Sequence, residues 1–105
     1  MSNVRLVFVT LPDEPTAVAM TRSLVEEQLV ACGNVISGVR SIYRWQGEVC
    51  EDTEVLVLFK TTKEGFLAAK DRIVALHPYD CPEVLGVSVE AGHEDYLSWV
   101  KEQVR

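Results

Sequence analysis

The segment from residue 34 to residue 61 constrains the fold more than any other part of this chain. It contains two long stretches rich in β-branched and aromatic residues, NVISGVRSIYRW and VCEDTEVLVLFKT, joined by the turn-forming sequence QGE. Two such stretches around a short polar turn predict a β-hairpin with about a dozen residues in each strand. The rest of the fold must be built around this hairpin.

Alternation along the first strand of the hairpin predicts which side chains share a face. Successive side chains of a strand point to opposite sides. One side is therefore expected to carry Val35, Val39, Tyr43 and Trp45, and the other Ile36, Ile42 and Arg44. Gly38 lies between them and indicates a bulge or a bend.

The predicted hairpin is longer than the core of a small domain can cover. At ~3.3 Å per residue, strands of this length extend past the helices that pack on them. The tip, which carries Tyr43 and Trp45, is therefore expected to project from the body of the domain. Projecting strands with large aromatic residues invite association unless another chain covers them, so the sequence predicts a homo-oligomer.

Before the hairpin, the sequence predicts one strand and one helix. VRLVFVT, residues 4–10, is apolar and β-branched at nearly every position. The helix is predicted over residues 15–29, with Asp13 or Thr16 as its cap. Its buried face is expected to carry residues at helical spacing, namely Ala17, Met20 and Leu24.

After the hairpin, the sequence predicts a helix, a strand and a terminal helix. Thr61 and Glu64 have the spacing of a capping box, and Pro78 ends the helix that follows. The strand is predicted over residues 84–90 and the last helix over residues 93–104. The expected buried faces of these two helices are Phe66, Ala69, Ile73 and Leu76, and then Tyr96, Val100 and Val104.

The order of these elements predicts an α+β fold of the ferredoxin-like, split β-α-β type. The order is βαββαβ followed by a C-terminal helix, which gives an antiparallel sheet with two helices on one face. We expect a single domain over residues 1–105, because the chain has the usual size of one domain and contains no linker.

Charge and cysteine content exclude several classes of partner. The chain has 10 Lys and Arg residues against 16 Asp and Glu residues, a net charge of -6, and its basic residues are scattered singly. Nucleic acids and anionic membranes are therefore not expected partners. Cys32, Cys50 and Cys81 form no C-x-x-C motif and are odd in number, which predicts reduced thiols in a cytoplasmic protein.

The stretch HPYDCPE, residues 77–83, combines an imidazole, a thiol, carboxylates and two prolines. The simpler interpretation is a rigid helix end in which Cys81 is a small buried thiol. The alternative is a copper or zinc site to which His77 and Cys81 contribute, with further ligands from another chain. The prolines interrupt any helix here, so the sequence does not fix the distance between the two side chains.

Three further side chains have two interpretations each. Tyr43 and Trp45 are either anchors of a subunit interface or the aromatic walls of a ligand cleft. Lys60, which is polar at the end of an apolar strand, is either an edge residue with its ammonium group in water or an anion ligand inside a cleft.

The segments ACGNVISGVRSIYRWQGEVCEDTEVLVLFKTT, HPYDCPEVL and DYLSWV closely resemble the CutA family of divalent-cation tolerance proteins. The resemblance covers nearly the whole chain, from VTLPDEPTA to the last helix. It implies a tight homotrimer of ferredoxin-like subunits, a role in tolerance to copper and other divalent metals, and no enzymatic reaction.

The resemblance also implies a set of site residues. The copper site of bacterial relatives uses a cysteine and two adjacent histidines, and the matching positions here are Val9, Leu76 and His77. His77 is thus the one expected metal ligand, for copper or another divalent cation. Residues that match the shared pattern of the family are expected to line a cleft between subunits. They are Asn34, Tyr43, Trp45, Lys60, His77, Tyr79 and Glu83.

Different functions follow from this resemblance. The first is a metal-responsive tolerance protein that binds copper. The second is a PII-like trimeric sensor or scaffold that holds a small anion or a partner protein in the cleft near Lys60. A third, minimal function is that of a stable assembly module.

Overall fold

The computed structural model describes residues 2–105, and its elements follow the predicted order. These are β1 (Val4–Leu11), α1 (Glu14–Glu26), β2 (Cys32–Trp45), β3 (Glu48–Thr62), α2 (Phe66–Leu76), β4 (Val84–Ser88) and α3 (Glu94–Gln103). The strands form one antiparallel sheet in the order β2-β3-β1-β4. The predicted split β-α-β plan with an added C-terminal helix is therefore confirmed.

Helices α1 and α2 pack on one face of the sheet and form the main core with it. Alternate residues of β1 and β3 point to this face and are fully buried, among them Val9 and Phe59. The predicted helical residues Ala17, Met20, Leu24, Ala69 and Ile73 are buried against them, and Phe66 is partly buried there. Leu76, which was predicted on the same buried face, is 36% exposed at the end of α2.

The opposite face of the sheet is apolar but largely uncovered, and we call it the open face. Its side chains are those of the intervening residues of the four strands: Leu6, Phe8, Ile36, Leu56, Leu58, Leu85 and Val87. Leu85 is 57% exposed and Val87 46% exposed. Helix α3 covers only one end of the sheet, where Leu97 and Val100 pack against Val4 and Ala31.

A bulge in β2 reverses which of its residues point to the open face. The pairing with β3 shifts between Ile36 and Val39, and Gly38 has a φ of +78°. Val35 pairs with Val57 on the helix-covered face, whereas Val39 lies beyond the bulge and pairs with Glu54 on the open side. The predicted common face for Val35 and Val39 is therefore wrong, because the extra residue shifts the alternation by one.

The hairpin of β2 and β3 ends in a two-residue turn and projects from the domain. Gln46 and Gly47 have φ values of 49° and 82°, as in the type I′ turn that suits the twist of a hairpin. The strands contain 14 and 15 residues, and the molecule is 44 Å long but only 26 and 23 Å in its other dimensions. Trp45 is 47% exposed at the tip, as the predicted projection requires.

The ends of α1 differ partly from the prediction. Asp13 is the cap, and its Oδ1 accepts a hydrogen bond of 2.8 Å from the Thr16 N–H. The helix stops at Glu26 instead of continuing to residue 29, because Gln28 adopts a left-handed conformation with a φ of 60°. The buried face is unaffected by the shorter length.

The predicted capping box of α2 is not formed. The Thr61 hydroxyl is buried and donates to the Leu29 carbonyl at 2.8 Å, so it is not available to the helix. Instead, the Thr62 Oγ1 accepts from the Gly65 N–H at 2.9 Å. Gly65 is the cap residue, and the helix begins directly after it at Phe66. The end at Leu76, just before His77 and Pro78, agrees with the prediction.

Strand β4 and helix α3 also differ from the prediction in detail. β4 ends at Ser88, opposite Arg5 near the start of its partner strand, and not at residue 90. In α3, Leu97 and Val100 are buried whereas Tyr96 is 41% exposed, so the predicted stripe begins one residue too early. Among residues 2–105, no helix is long and apolar enough to cross a membrane.

Candidate functional site

A groove of about 710 Å³ lies between the projecting hairpin and the connector formed by residues 77–83, and we call it the hairpin groove. The hairpin reaches it with Tyr43 and Trp45 because the bulge turns these residues toward the open side. The lining residues are Thr10, Ser41, Ile42, Tyr43, Trp45, Glu54, Pro78, Tyr79, Asp80, Cys81 and Glu83.

The groove brings together only part of the predicted cleft. Tyr43, Trp45, Tyr79 and Glu83 line it, but Asn34 and Lys60 do not. These two lie on neighbouring strands of the open face, where the Lys60 ammonium group donates to Asn34 Oδ1.

His77 holds the connector against β1 and does not face the groove. Its side chain is buried, Nε2 lies 2.7 Å from the Thr10 carbonyl oxygen, and Nδ1 lies 3.2 Å from the Tyr79 N–H. The neutral tautomer with its proton on Nε2 satisfies both contacts, since Nε2 then donates and Nδ1 accepts. A metal at His77 would have to displace one of these two hydrogen bonds.

Cys81 is exposed and lines the groove. The interpretation of this residue as a buried thiol at a helix end is therefore wrong. The reason is the connector itself: residues 77–83 run outside the sheet before β4 begins at Val84, so they carry Cys81 away from the core.

Glu54 is one of the groove residues that the sequence did not single out. It belongs to the run EVCEDTE, which resembles a solvated hairpin arm, yet only 8% of it is exposed. Its Oε2 accepts a hydrogen bond of 2.8 Å from the Tyr79 hydroxyl. The available signal was the spacing of Glu54, Leu56 and Leu58, which are every second residue of β3. This spacing places Glu54 with the two leucines on the open face, where a neighbouring side chain can cover it.

The groove is acidic and has aromatic walls. Glu54, Asp80 and Glu83 line it together with three aromatic side chains, and none of its lining residues is basic. The Tyr43 hydroxyl donates to Asp52 beside the groove. The negative electrostatic potential of these carboxylates attracts cations and repels anions.

All three tyrosines of the chain resist ionisation. The hydrogen bond to Asp52 raises the pKa of Tyr43 to about 12, and contact with the Cys32 thiol raises the pKa of Tyr96 to about 12. The pKa of Tyr79 is also raised, mainly by burial and then by its hydrogen bond to Glu54. The neutral phenol is therefore the form that folding favours at each position.

We expect tyrosinate absorbance of the folded protein to appear with a midpoint near pH 12 instead of pH 10. The unfolded chain ionises its phenols at about pH 10. These groups therefore contribute a constant amount to the free energy of unfolding below about pH 10, and this contribution is lost as the pH rises toward 12. The denatured protein is the control, and a native midpoint near pH 10 would contradict the hydrogen bonds described above.

One chain does not complete a metal site at the positions implied by the resemblance. Val9 is a fully buried core residue, Leu76 has no ligand atom, and both ring nitrogens of His77 are engaged. Within residues 2–105, no three His, Cys, Asp or Glu side chains converge on one point. The donors on the groove rim, the Cys81 thiol and the Asp80 and Glu83 carboxylates, have the chemistry of metal ligands but need others to join them.

Comparisons with known proteins agree with the architecture. The profile of the CutA1 divalent ion tolerance protein family matches residues 5–103. The chain is 47% identical over 97 residues to the divalent-cation tolerance protein CutA of Thermus thermophilus, covering 92% of this chain and 94% of that protein. It is 41% identical over 100 residues to protein CutA of Homo sapiens, covering 95% of this chain and 56% of that protein.

Solved structures are similar over the same length. The Thermus thermophilus divalent cation tolerance protein superposes with a TM-score of 0.94 at 45% identity, covering 97% of this chain and 99% of that one. CutA of Xylella fastidiosa superposes with a TM-score of 0.96 at 41% identity, covering 99% and 100% of the two chains.

Proposed function

The chain belongs to the CutA1 family of divalent ion tolerance proteins, and from that premise we propose that it acts in divalent-metal tolerance as a homotrimer that binds copper or another divalent cation between subunits. The observation that carries the proposal is the acidic groove with a thiol on its rim, which offers metal donors yet too few of them in one chain.

The open face supports assembly into a trimer. It presents a continuous row of apolar side chains across all four strands, and Ile36, Leu85 and Val87 on it are each more than 40% exposed. Apolar surface of this kind is costly in water and typically marks a protein interface. When three subunits pack around one three-fold axis with these faces inward, all three faces are buried and none remains exposed.

The rim of the groove supports a metal site that assembly completes. In this proposal Cys81 and Glu83 bind the cation, and His77 joins them once its Nδ1 is released from the Tyr79 N–H. Thiolate and imidazole ligands favour copper and zinc over calcium and magnesium. The remaining ligands come from a second subunit.

The alternative of a small anion bound in the cleft near Lys60 has less support. Lys60 lies on the open face beside Asn34, outside the groove, and the groove itself carries carboxylates without basic residues. An anion would therefore meet repulsion there.

We further place this function in the cytoplasm and outside catalysis. The three cysteines are free thiols, which suits a reducing compartment. In the single chain both ring nitrogens of His77 are engaged by backbone groups and His77 is not part of the groove lining, so it is not placed as the general base that would activate the Cys81 thiol.

Titration calorimetry with copper(II) and zinc(II) tests the proposal. We expect the wild-type protein to release heat on binding, and Cys81→Ser to weaken the affinity by about tenfold, because a hydroxyl is a poor ligand for these metals. His77→Ala should also weaken binding. Cys50→Ser is the matched control, since Cys50 is half-buried outside the groove lining and should leave the isotherm unchanged.

Each variant is first checked for folding by circular dichroism and for assembly by light scattering. Absence of heat with the wild-type protein would refute metal binding by this chain. Identical isotherms for wild type, Cys81→Ser and His77→Ala would place the metal elsewhere. A monomer mass for the wild type would refute the trimer.

A further inference from the structure

Glu54 is a buried carboxylate without a cationic partner. Only 8% of its surface is exposed. The three ion pairs among residues 2–105 involve other carboxylates. The hydrogen bond from Tyr79 ends on Oε2, which leaves the lone pairs of Oε1 for another donor. Among residues 2–105, no fully buried side-chain oxygen is without a partner, so Oε1 is accessible in the groove that Glu54 lines. A cation bound there would pair the charge of this largely buried carboxylate.

We propose that the hairpin groove binds a small organic ammonium ion, with Glu54 as the anionic partner of its charge. The proposal concerns the floor of the groove and goes beyond the metal site proposed on its rim. An ammonium N–H group would donate to Glu54 Oε1, while Tyr79 continues to donate to Oε2.

The walls of the groove suit an organic cation. Tyr43, Trp45 and Tyr79 line the groove beside Glu54, and Trp45 has nearly half of its surface exposed. The face of an aromatic ring attracts a weakly hydrated cation, with tryptophan the best partner. The apolar part of the ligand would meanwhile cover aromatic surface that is now in contact with water.

The dimensions of the groove favour an organic cation over a bare metal ion at this position. Its volume of about 710 Å³ lies within the ~300–1,000 Å³ typical of sites for small organic ligands. A hard divalent cation requires several oxygen ligands on one point, and no three carboxylates, thiols or imidazoles converge within the described residues. One carboxylate surrounded by rings instead matches a single positive charge on an apolar body.

Calorimetry with a matched pair of probes tests the proposal on the full chain as it assembles in solution. Benzylammonium and benzyl alcohol have nearly the same shape and differ in charge. We expect benzylammonium to bind at least about tenfold more tightly, because a hydrogen bond between two charged groups is stronger than one from a neutral hydroxyl. Equal affinities, or no binding of benzylammonium, would overturn the proposal.

Variants at the floor of the groove locate the binding site. Glu54→Gln keeps the shape and removes the charge, so we expect it to weaken benzylammonium binding by about tenfold and leave benzyl alcohol unchanged. Glu51→Gln is the matched control, since Glu51 lies on the same strand but pairs with Arg40 outside the groove lining. It should change the affinity by less than about twofold.

A second variant keeps the proposal testable if Glu54→Gln does not fold. Trp45→Ala removes an exposed ring from the groove wall and should weaken benzylammonium binding severalfold. The equally exposed Trp99 lies on α3 and contacts Tyr96, so Trp99→Ala should have no effect. Unchanged binding in both Glu54→Gln and Trp45→Ala would overturn the proposal.

Two further outcomes would also overturn it. Complete displacement of benzylammonium by an equal concentration of calcium would show a site for hard cations. Binding to a monomeric variant but not to the wild-type assembly would show that a basic side chain of a second copy occupies the groove. Loss of copper binding in Cys81→Ser with benzylammonium binding retained would separate this site from the metal site.

Discussion

The Leu85→Asp variant is expected to be monomeric at concentrations at which the wild-type protein forms the proposed trimer. Leu85 is the second residue of β4, lies on the open face opposite Phe8, and is 57% exposed in the isolated chain. Trimer formation through this face would bury three aspartates close together. Burying an unpaired charge costs several kcal/mol, and the subunits already carry a net charge of -6 each.

Light scattering and analytical ultracentrifugation measure the mass directly. Leu67→Asp is the matched control, because Leu67 is 66% exposed on the outer side of α2 and not on the open face. This control should remain a trimer. A trimeric Leu85→Asp, or loss of assembly in Leu67→Asp as well, would show that the open face is not the interface.

The arrangement of the elements could be predicted because several local signals agree. The strand patterns, the helical spacing of apolar residues and the turn sequence all point to the same order, and the length of the hairpin follows from the number of residues on either side of Gln46 and Gly47. The predicted projection of the tip depends only on this length, and the structure contains it. A fold can be predicted from a single sequence when its independent local preferences favour the same structure.

The faces of β2 could not be predicted with the same success. The glycine at position 38 indicated a bulge, but a bulge does not reveal from one strand alone how many residues remain unpaired. That number depends on the pairing with β3, where Ile36 meets Leu56 and Val39 meets Glu54. One unpaired residue more or less would move Tyr43 and Trp45 to the opposite side of the hairpin, away from the groove.

The groove was predicted in part, for a related reason. Tyr43, Trp45, Tyr79 and Glu83 were expected in a cleft and line it. Lys60 shares the open face with Glu54 but lies six residues further along β3, opposite Leu6 and Cys32, and so does not reach the groove. Glu54 was missed because its burial depends on the connector after α2, which is distant in sequence. Tertiary contacts of this kind leave no periodic signal in the chain.

The His77→Ala variant is expected to lower the free energy of unfolding by about 2–4 kcal/mol. The substitution leaves the Thr10 carbonyl and the Tyr79 N–H without their partners, and each unsatisfied buried group costs about 1–3 kcal/mol. The space left by the ring adds a cavity term between β1 and the connector. Denaturant unfolding measures the effect, at one fixed protein concentration because the stability of an oligomer depends on it.

The other histidine of the chain provides the control. His93 precedes α3, is exposed, and makes no side-chain hydrogen bond to the helix that it caps, so His93→Ala should change the free energy of unfolding by less than about 0.5 kcal/mol. Similar stability for both variants would mean that the contacts of the His77 ring do not hold the connector. The groove would then owe its shape to Pro78 and Pro82 alone, and the carboxylates of the connector would be free to rearrange around a bound cation.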